Sequence, residues 1–218
     1  MAEFDYLWKN FLSDSIDFNE DRIKDFLFYT GIEEDFLKGK HVLDAGCGNG
    51  RFTYAMQELG AIVDSIDISR EAVKKCRQIN PRTEQMDIFD LPRRKGYDFI
   101  LCWGVLHHLE YPHKGFLRLI DQLKSEGMLH IMVYNAKYQK RYKKWRKKFR
   151  KLDEHSKIEL CKRLARSSGE ARGWYDALLP KYNHGFKIEV ITEWFENSGF
   201  KNIHVAKTSN ININGTLG

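Results

Sequence analysis

Three glycines at alternate positions, Gly46, Gly48 and Gly50, follow Asp44 in the run V-L-D-A-G-C-G-N-G-R-F-T. Glycines so spaced reach positive φ and let a ligand lie close to the backbone. A strand ending near Ala45 and a helix opening near Arg51 would turn free N–H groups toward a carboxylate or phosphate. Spacing excludes two nucleotide sites. A dinucleotide turn needs G-x-G-x-x-G, and Arg51 stands at its last glycine position. A P-loop needs Lys followed by Ser or Thr, which this turn lacks. Two acids extend the pattern. Asp67, 21 residues after Gly46, closes a second apolar run, where a carboxylate meets ribose hydroxyls in doubly wound sheets. Asp87 follows a third run, placed to accept from an adenine amino group while the Ile88 N–H donates to a ring nitrogen. His107, His108, His113 and His184 are candidate bases for a group to be deprotonated.

The elements that must position these residues are legible from residue 41 onward. Short apolar runs alternate with helical patterns there, which argues for βαβ units and a parallel sheet. Strands are expected at 41–45, 62–66, 83–86, 99–103, 128–134 and 201–206, with 210–214 as a final antiparallel strand. Helices are expected at 51–59, 70–79, 114–123 and 189–198, with Ser69 as an N-cap and Gly199 as a C-terminal stop. Before this core, Phe4, Trp8, Phe11, Ile16, Ile23, Phe26, Leu27 and Phe28 mark one or two helices with aromatic faces. They pack on the sheet edge or close over a ligand.

Residues 135–187 interrupt the alternation for too long to be a plain loop. Tyr138, Tyr142, Trp145, Phe149 and Leu152 recur at helical spacing. A second helix over 156–168 carries Ile158, Cys161 and Leu164, and the two form a cap on the carboxyl edge of the sheet. Ten Lys/Arg and no acid lie between Lys137 and Lys151, against a net charge of +6 for the whole chain. The rest therefore holds 26 basic against 30 acidic residues, or −4. Basicity is local here, on a solvated face or one attracting an anionic acceptor, a membrane surface or RNA.

At 218 residues and 42% hydrophobic content the chain can bury one core. A single domain over 1–218 is expected: N-terminal helices at 1–40, a ligand-binding core at 41–134, the cap at 135–187, and a last helix and strands at 188–218. No apolar run approaches the ~20 residues of a membrane span, and the N-terminus lacks signal-peptide form, so a cytoplasmic protein is expected. Cys47, Cys76, Cys102 and Cys161 are scattered without a C-x-x-C pair, which suggests buried thiols and no metal.

The D-x-G-x-G-x-G turn resembles motif I of class I S-adenosylmethionine-dependent methyltransferases. Together with Asp67, Asp87 and Trp103-Gly104-Val105-Leu106-His107-His108, it is similar to their ubiquinone/menaquinone-biosynthesis-type (methyltransferase domain 11-like) branch over roughly residues 31–134. The L-K-S-E-G-M-L-H stretch departs from that branch, with Ser125 and Glu126 replacing the usual Pro and Gly of its turn. The resemblance implies an α/β fold: a Rossmann-like, doubly wound sheet of seven strands, with N-terminal helices and an α-helical cap between strand 5 and the last helix. It also implies transfer of a methyl group from S-adenosyl-L-methionine, leaving S-adenosyl-L-homocysteine, to O or N of a small polar or anionic metabolite. Cofactor contacts would come from Asp44, Gly46, Cys47, Gly48, Arg51, Asp67, Ile68, Asp87, Ile88 and Trp103, with Arg51 facing the methionyl carboxylate. His184 leads the candidate bases, before His107 and His108. Tyr134, Tyr175, Tyr182 and Trp145 would hold the acceptor, with Asp176 beside them. Two rival readings stand: an RNA methyltransferase using the basic helix, disfavoured by the acidic remainder, and a cofactor-binding interaction or membrane-surface protein.

Overall fold

The computed structural model describes residues 2–10, 18–93, 96–140 and 142–218. Two helices come first, α1 (Ala2–Asn10) and α2 (Glu20–Thr30). Strand β1 (His41–Ala45) leads through the glycine turn to α3 (Arg51–Glu58), and β2 (Ile62–Asp67) leads to α4 (Arg70–Cys76). Next come β3 (Thr83–Gln85), a 3-10 turn (Ile88–Asp90), β4 (Tyr97–Trp103) and a second 3-10 turn (Leu106–His108). Helix α5 (Pro112–Ile120) and strand β5 (Leu123–Val133) close the core. The cap contains α6 (Ala136–Gln139), α7 (Tyr142–Phe149), α8 (Glu154–Leu164) and α9 (Ser168–Leu178). Helix α10 (Ile188–Asn197), β6 (Phe200–Ala206) and β7 (Ile211–Leu217) follow.

The seven strands form one sheet in the order β3-β2-β1-β4-β5-β7-β6. Strands β1 to β5 are parallel, and β7 runs antiparallel between β5 and β6. Strand order reverses between β1 and β4, so the crevice for a ligand lies at their carboxyl ends. Alternating side chains serve two layers. Leu43, Ala45, Ile100 and Cys102 pack toward Phe116 of α5 and Phe195 of α10. Val42, Phe99 and Leu101 pack toward Phe26 of α2 and Phe52 and Met56 of α3.

The cap has its own core of Phe149, Cys161, Ala171, Tyr175 and Leu178, joined by Leu7 of α1. It leaves and rejoins the sheet at one point. Asn135 and Phe186 form a parallel bridge, the Ala136 N–H donates to the Phe186 carbonyl (2.8 Å), and the Phe186 N–H donates to that of Tyr134 (2.8 Å).

Several elements differ from the sequence expectation. Among the described residues the cap has four helices rather than two: α6 and α7 stand where one was expected, and a further N-cap starts α9. Asp153 accepts the Ser156 N–H (2.9 Å) and starts α8, while Ser167 accepts the Glu170 N–H (3.2 Å) and starts α9. The expected aromatic stripe splits as well. Phe149 is buried and Tyr142 packs beside it, whereas Tyr138, Trp145 and Leu152 are exposed. Strand β5 begins at Leu123, with Glu126 at φ +61 taking the left-handed conformation that a glycine would hold in the turn. The N-terminal helices separate: α2 covers the sheet, while α1 lies between cap and core. Phe11 and Ile16 lie outside the described residues, as do Arg141 and the side chain of Lys144.

Candidate functional site

The glycine turn hangs from the end of β1 with Gly46 at φ +91, Gly48 at +56 and Gly50 at +92. A Cβ at Gly46 would overlap Val105, and one at Gly48 would overlap the Trp8 ring, so the turn needs glycine for conformation and for space. Asp67, at the end of β2, accepts the Gly48 N–H through Oδ2 (2.9 Å) and the Ser69 N–H through Oδ1 (2.8 Å). Asp44 accepts the Thr53 hydroxyl (2.6 Å). Burial pushes both carboxyls up, Asp44 to about 7 and Asp67 to about 6. Cys47 is buried in the turn, and a hydrogen bond with Cys76, together with burial, raises its thiol well above the ordinary range.

Two cavities meet at this turn. The first, about 620 Å³, is lined at one end by Asp44, Cys47, Gly48 and Arg51 and at the other by Tyr134, Tyr138, Tyr142 and Trp174. The second, about 640 Å³, is lined by Asp67, Ile68, Asp87 and Ile88, and toward the cap by His108 and Tyr182. Gly46, Trp103, Gly104 and Asp176 belong to both, as do Leu7 and Trp8 of α1. The ten residues expected to hold a cofactor thus all line one cavity or the other. The Arg51 guanidinium lies 4.6 Å from the Phe52 ring centre and 5.9 Å from that of Trp103. The Asp87 carboxylate caps its own 3-10 turn, accepting the Phe89 N–H (2.9 Å).

At the junction, two elements distant in sequence converge on Asp176 of α9. Tyr134, just past β5, donates its hydroxyl to Asp176 Oδ2, and His108 Nε2 lies 3.3 Å from the same oxygen. His108 Nδ1 sits 3.1 Å from the Tyr182 carbonyl, which can only accept, so that nitrogen carries a hydrogen. Burial alone would raise the Asp176 carboxyl, but the charge and hydrogen bond of His108 and the Tyr134 hydroxyl hold it below its ordinary range. Burial first, then Asp176, pushes the Tyr134 phenol well up. His107, His108 and Asp176 also offer atoms within 4.8 Å of one another, close enough to share a metal ion.

Other expected site residues lie elsewhere. His107 is fully buried under Tyr134 (ring centres 3.7 Å apart), with neither ring nitrogen hydrogen-bonded, and burial drives it well below the usual imidazole range. His184, the leading candidate base, turns Nε2 to the Leu109 carbonyl (3.0 Å) and donates its N–H to the His107 carbonyl (2.9 Å), so it straps the loop after β4. His113 stacks on Phe116 and packs at a tilt against Trp194. Tyr175 is inside the cap core with its hydroxyl on Glu154 (3.0 Å), and Trp145 is on the outer surface. None of these five lines either cavity.

Sequence reasoning gave α1 no residue-level role at the site. Its Asp5 carboxylate accepts the Ser69 hydroxyl (2.6 Å) and the Glu71 N–H (3.3 Å), tying α1 to α4 beside Asp67. Trp8 covers Gly48, and the Arg172 guanidinium of α9 lies 5.3 Å from its ring. The aromatic face of α1 was the available signal.

A family model described as "Methyltransferase domain" matches residues 16–205. A ubiquinone biosynthesis O-methyltransferase from Glaesserella parasuis serovar 5 is 33% identical over 121 residues, 50% of this chain and 51% of that protein. The match thus spans about half the length of that relative. Among solved structures, magnesium protoporphyrin IX methyltransferase from Synechocystis, with bound SAM, has a TM-score of 0.59 at 16% identity, covering 91% of this chain and 79% of that one. An S-adenosylmethionine-dependent methyltransferase from Mesorhizobium loti has a TM-score of 0.62 at 17% identity, covering 89% and 97%. These similarities establish the fold; the family model extends over most of the sequence.

Proposed function

The chain belongs to the methyltransferase domain family, and from that premise we propose that it methylates an oxygen or nitrogen of a small polar acceptor held between the sheet and the cap. S-Adenosylmethionine, when bound, supplies an electrophilic methyl group. The residues present fit it. Asp67 keeps both carboxylate oxygens at the end of β2, with lone-pair capacity beyond the backbone N–H groups they accept, to meet a pair of ribose hydroxyls. Met86, Ile88 and Phe89 offer an apolar slot for adenine, with Asp87 at its edge. Arg51 and the amides of the turn would hold the amino-acid end.

The convergence on Asp176 carries the acceptor reading. Tyr134 donates its hydroxyl to this carboxylate where the two cavities meet, and its carboxyl is held below the ordinary range, so it accepts hydrogen bonds there at neutral pH. It would orient an acceptor O–H or N–H and take the proton that grows acidic as the acceptor gives up its lone pair. Tyr134 and His108 position Asp176, and Tyr182 positions His108. The remaining work is approach and exclusion of water, supplied by aromatic walls on both sides of the junction. The acceptor itself would enter between Tyr134, Tyr142 and Trp174.

Calorimetric titration with S-adenosylhomocysteine tests the donor half of this reading. Saturable one-to-one binding is expected, and a folded protein that does not bind would sink it.

A further inference from the structure

The outer face of the cap combines features that nothing in methyl transfer uses. Lys143, Lys147, Lys148 and Lys151 are exposed on or just after α7, and among the described residues they make no ion pair. Beside them Trp145 is 45% exposed and Leu152 36%. An indole and a leucine beside these four lysines give this face both the charge and the apolar groups of an interfacial surface. The sequence outside 137–151 carries −4, and although Arg146 and Arg150 donate to carbonyls of the cap, the four lysines leave this face positive. A molecule so polarised presents this face to an anionic surface.

We propose that this face of α7 and the turn after it docks on an anionic phospholipid bilayer, the lysines against lipid phosphates and Trp145 and Leu152 in the interfacial layer. The exposed apolar side chains favour lipid over a nucleic acid. A duplex or strand neutralises lysines but provides no apolar phase for Leu152. A bilayer interface satisfies both, and indole is suited to its boundary. No helix of the described residues is long and apolar enough to cross a membrane, so attachment is peripheral and salt-sensitive.

The test is flotation of the full chain with vesicles of phosphatidylcholine alone and of phosphatidylcholine mixed with phosphatidylglycerol. Wild type is expected to float with the mixed vesicles only, and to be released by high salt. Replacing Lys147, Lys148 and Lys151 together by Glu should weaken partitioning by at least about a hundredfold, since each basic residue near an anionic surface is worth about fivefold. Trp145→Ala should weaken it with the charges intact. Both variants must still bind S-adenosylhomocysteine as wild type does, which separates loss of docking from misfolding and from failure of the methyltransferase reading. Absence of flotation with mixed vesicles, flotation indifferent to the lysines, or retention on tRNA in preference to vesicles would each overturn the proposal.

Discussion

Protonation of Asp67 should set the pH dependence of cofactor binding. Burial raises its carboxyl from 3.8 to about 6 in the folded protein. A pKa displaced by one pH unit corresponds to about 1.4 kcal/mol, so holding this group ionised at neutral pH costs about 3 kcal/mol before a ligand arrives. Ribose hydroxyls donating to the carboxylate offset that cost, at about 1.5–3 kcal/mol per hydrogen bond to a charged group. Binding should therefore select the ionised form. S-Adenosylhomocysteine affinity is expected to level off above pH 7 and to be about tenfold weaker near pH 5, where roughly one carboxyl in ten is ionised. Near pH 6, binding should release about half a proton per site, measurable by calorimetry in buffers of different ionisation enthalpy.

Stability moves the other way. The folded-state pKa is raised, so this group's contribution is full below its unfolded value and is lost as pH rises through about 6. Asp44, raised to about 7, acts in the same direction. The ligand-free protein should thus gain stability from these two acids between pH 7 and 5 while its affinity falls. Asp67→Asn isolates the effect. Its amide can accept only one of the Gly48 and Ser69 N–H groups, so stability should drop by about 1–3 kcal/mol, plateau affinity by about tenfold or more, and the pH slope should flatten. An affinity that stays level from acid to neutral pH, or an Asp67→Asn protein binding as tightly as wild type, would refute the reasoning.

Asp176→Asn should lower methyl transfer by about 10²–10⁴, the usual range for a proton-accepting group, with S-adenosylhomocysteine affinity retained; comparable loss of both would show a structural role instead. Gly46→Ala should cost about 2–4 kcal/mol in denaturant unfolding, from left-handed backbone strain plus overlap with Val105; a change below about 1 kcal/mol would contradict the geometry. Trp8→Ala should speed dissociation of S-adenosylhomocysteine in stopped-flow measurements, since that ring covers Gly48 at the junction of the cavities. An unchanged off-rate would mean that α1 does not gate the donor.

The residues proposed to hold the donor can be grouped from sequence because their signals are local. The glycine turn, Asp67 and Asp87 each follow a strand visible as an apolar run, and the topology of a parallel sheet brings such ends together. The acceptor half depends on the path of the cap. Asp176 lies 42 residues from Tyr134 and 68 from His108, and no periodicity reports that they meet. Tyr175 and Asp176 show the difficulty: successive helical residues point about 100° apart, and only packing decides which enters the cap core and which the cavity. The division at Ser167 had a sequence signature, since Ser167 and Glu170 stand in capping-box spacing, and Glu170 accepts the Arg166 N–H (2.7 Å). His184 misled for another reason: a histidine's type is visible in sequence, but its partner, the Leu109 carbonyl, is not.

The bridge between Asn135 and Phe186 makes the cap a cassette. Everything from α6 to α9 leaves and returns through one pair of adjacent backbone positions, so its exchange would leave the sheet's register untouched. The residues proposed to face the methyl donor from β1, β2 and the turn after β3 lie outside that cassette, and Asp176 lies within it. On the proposed function, selection could alter which molecule is methylated without disturbing how the methyl group is held, and a chimera joined between Tyr134 and Phe186 should inherit its acceptor from one parent and its donor site from the other.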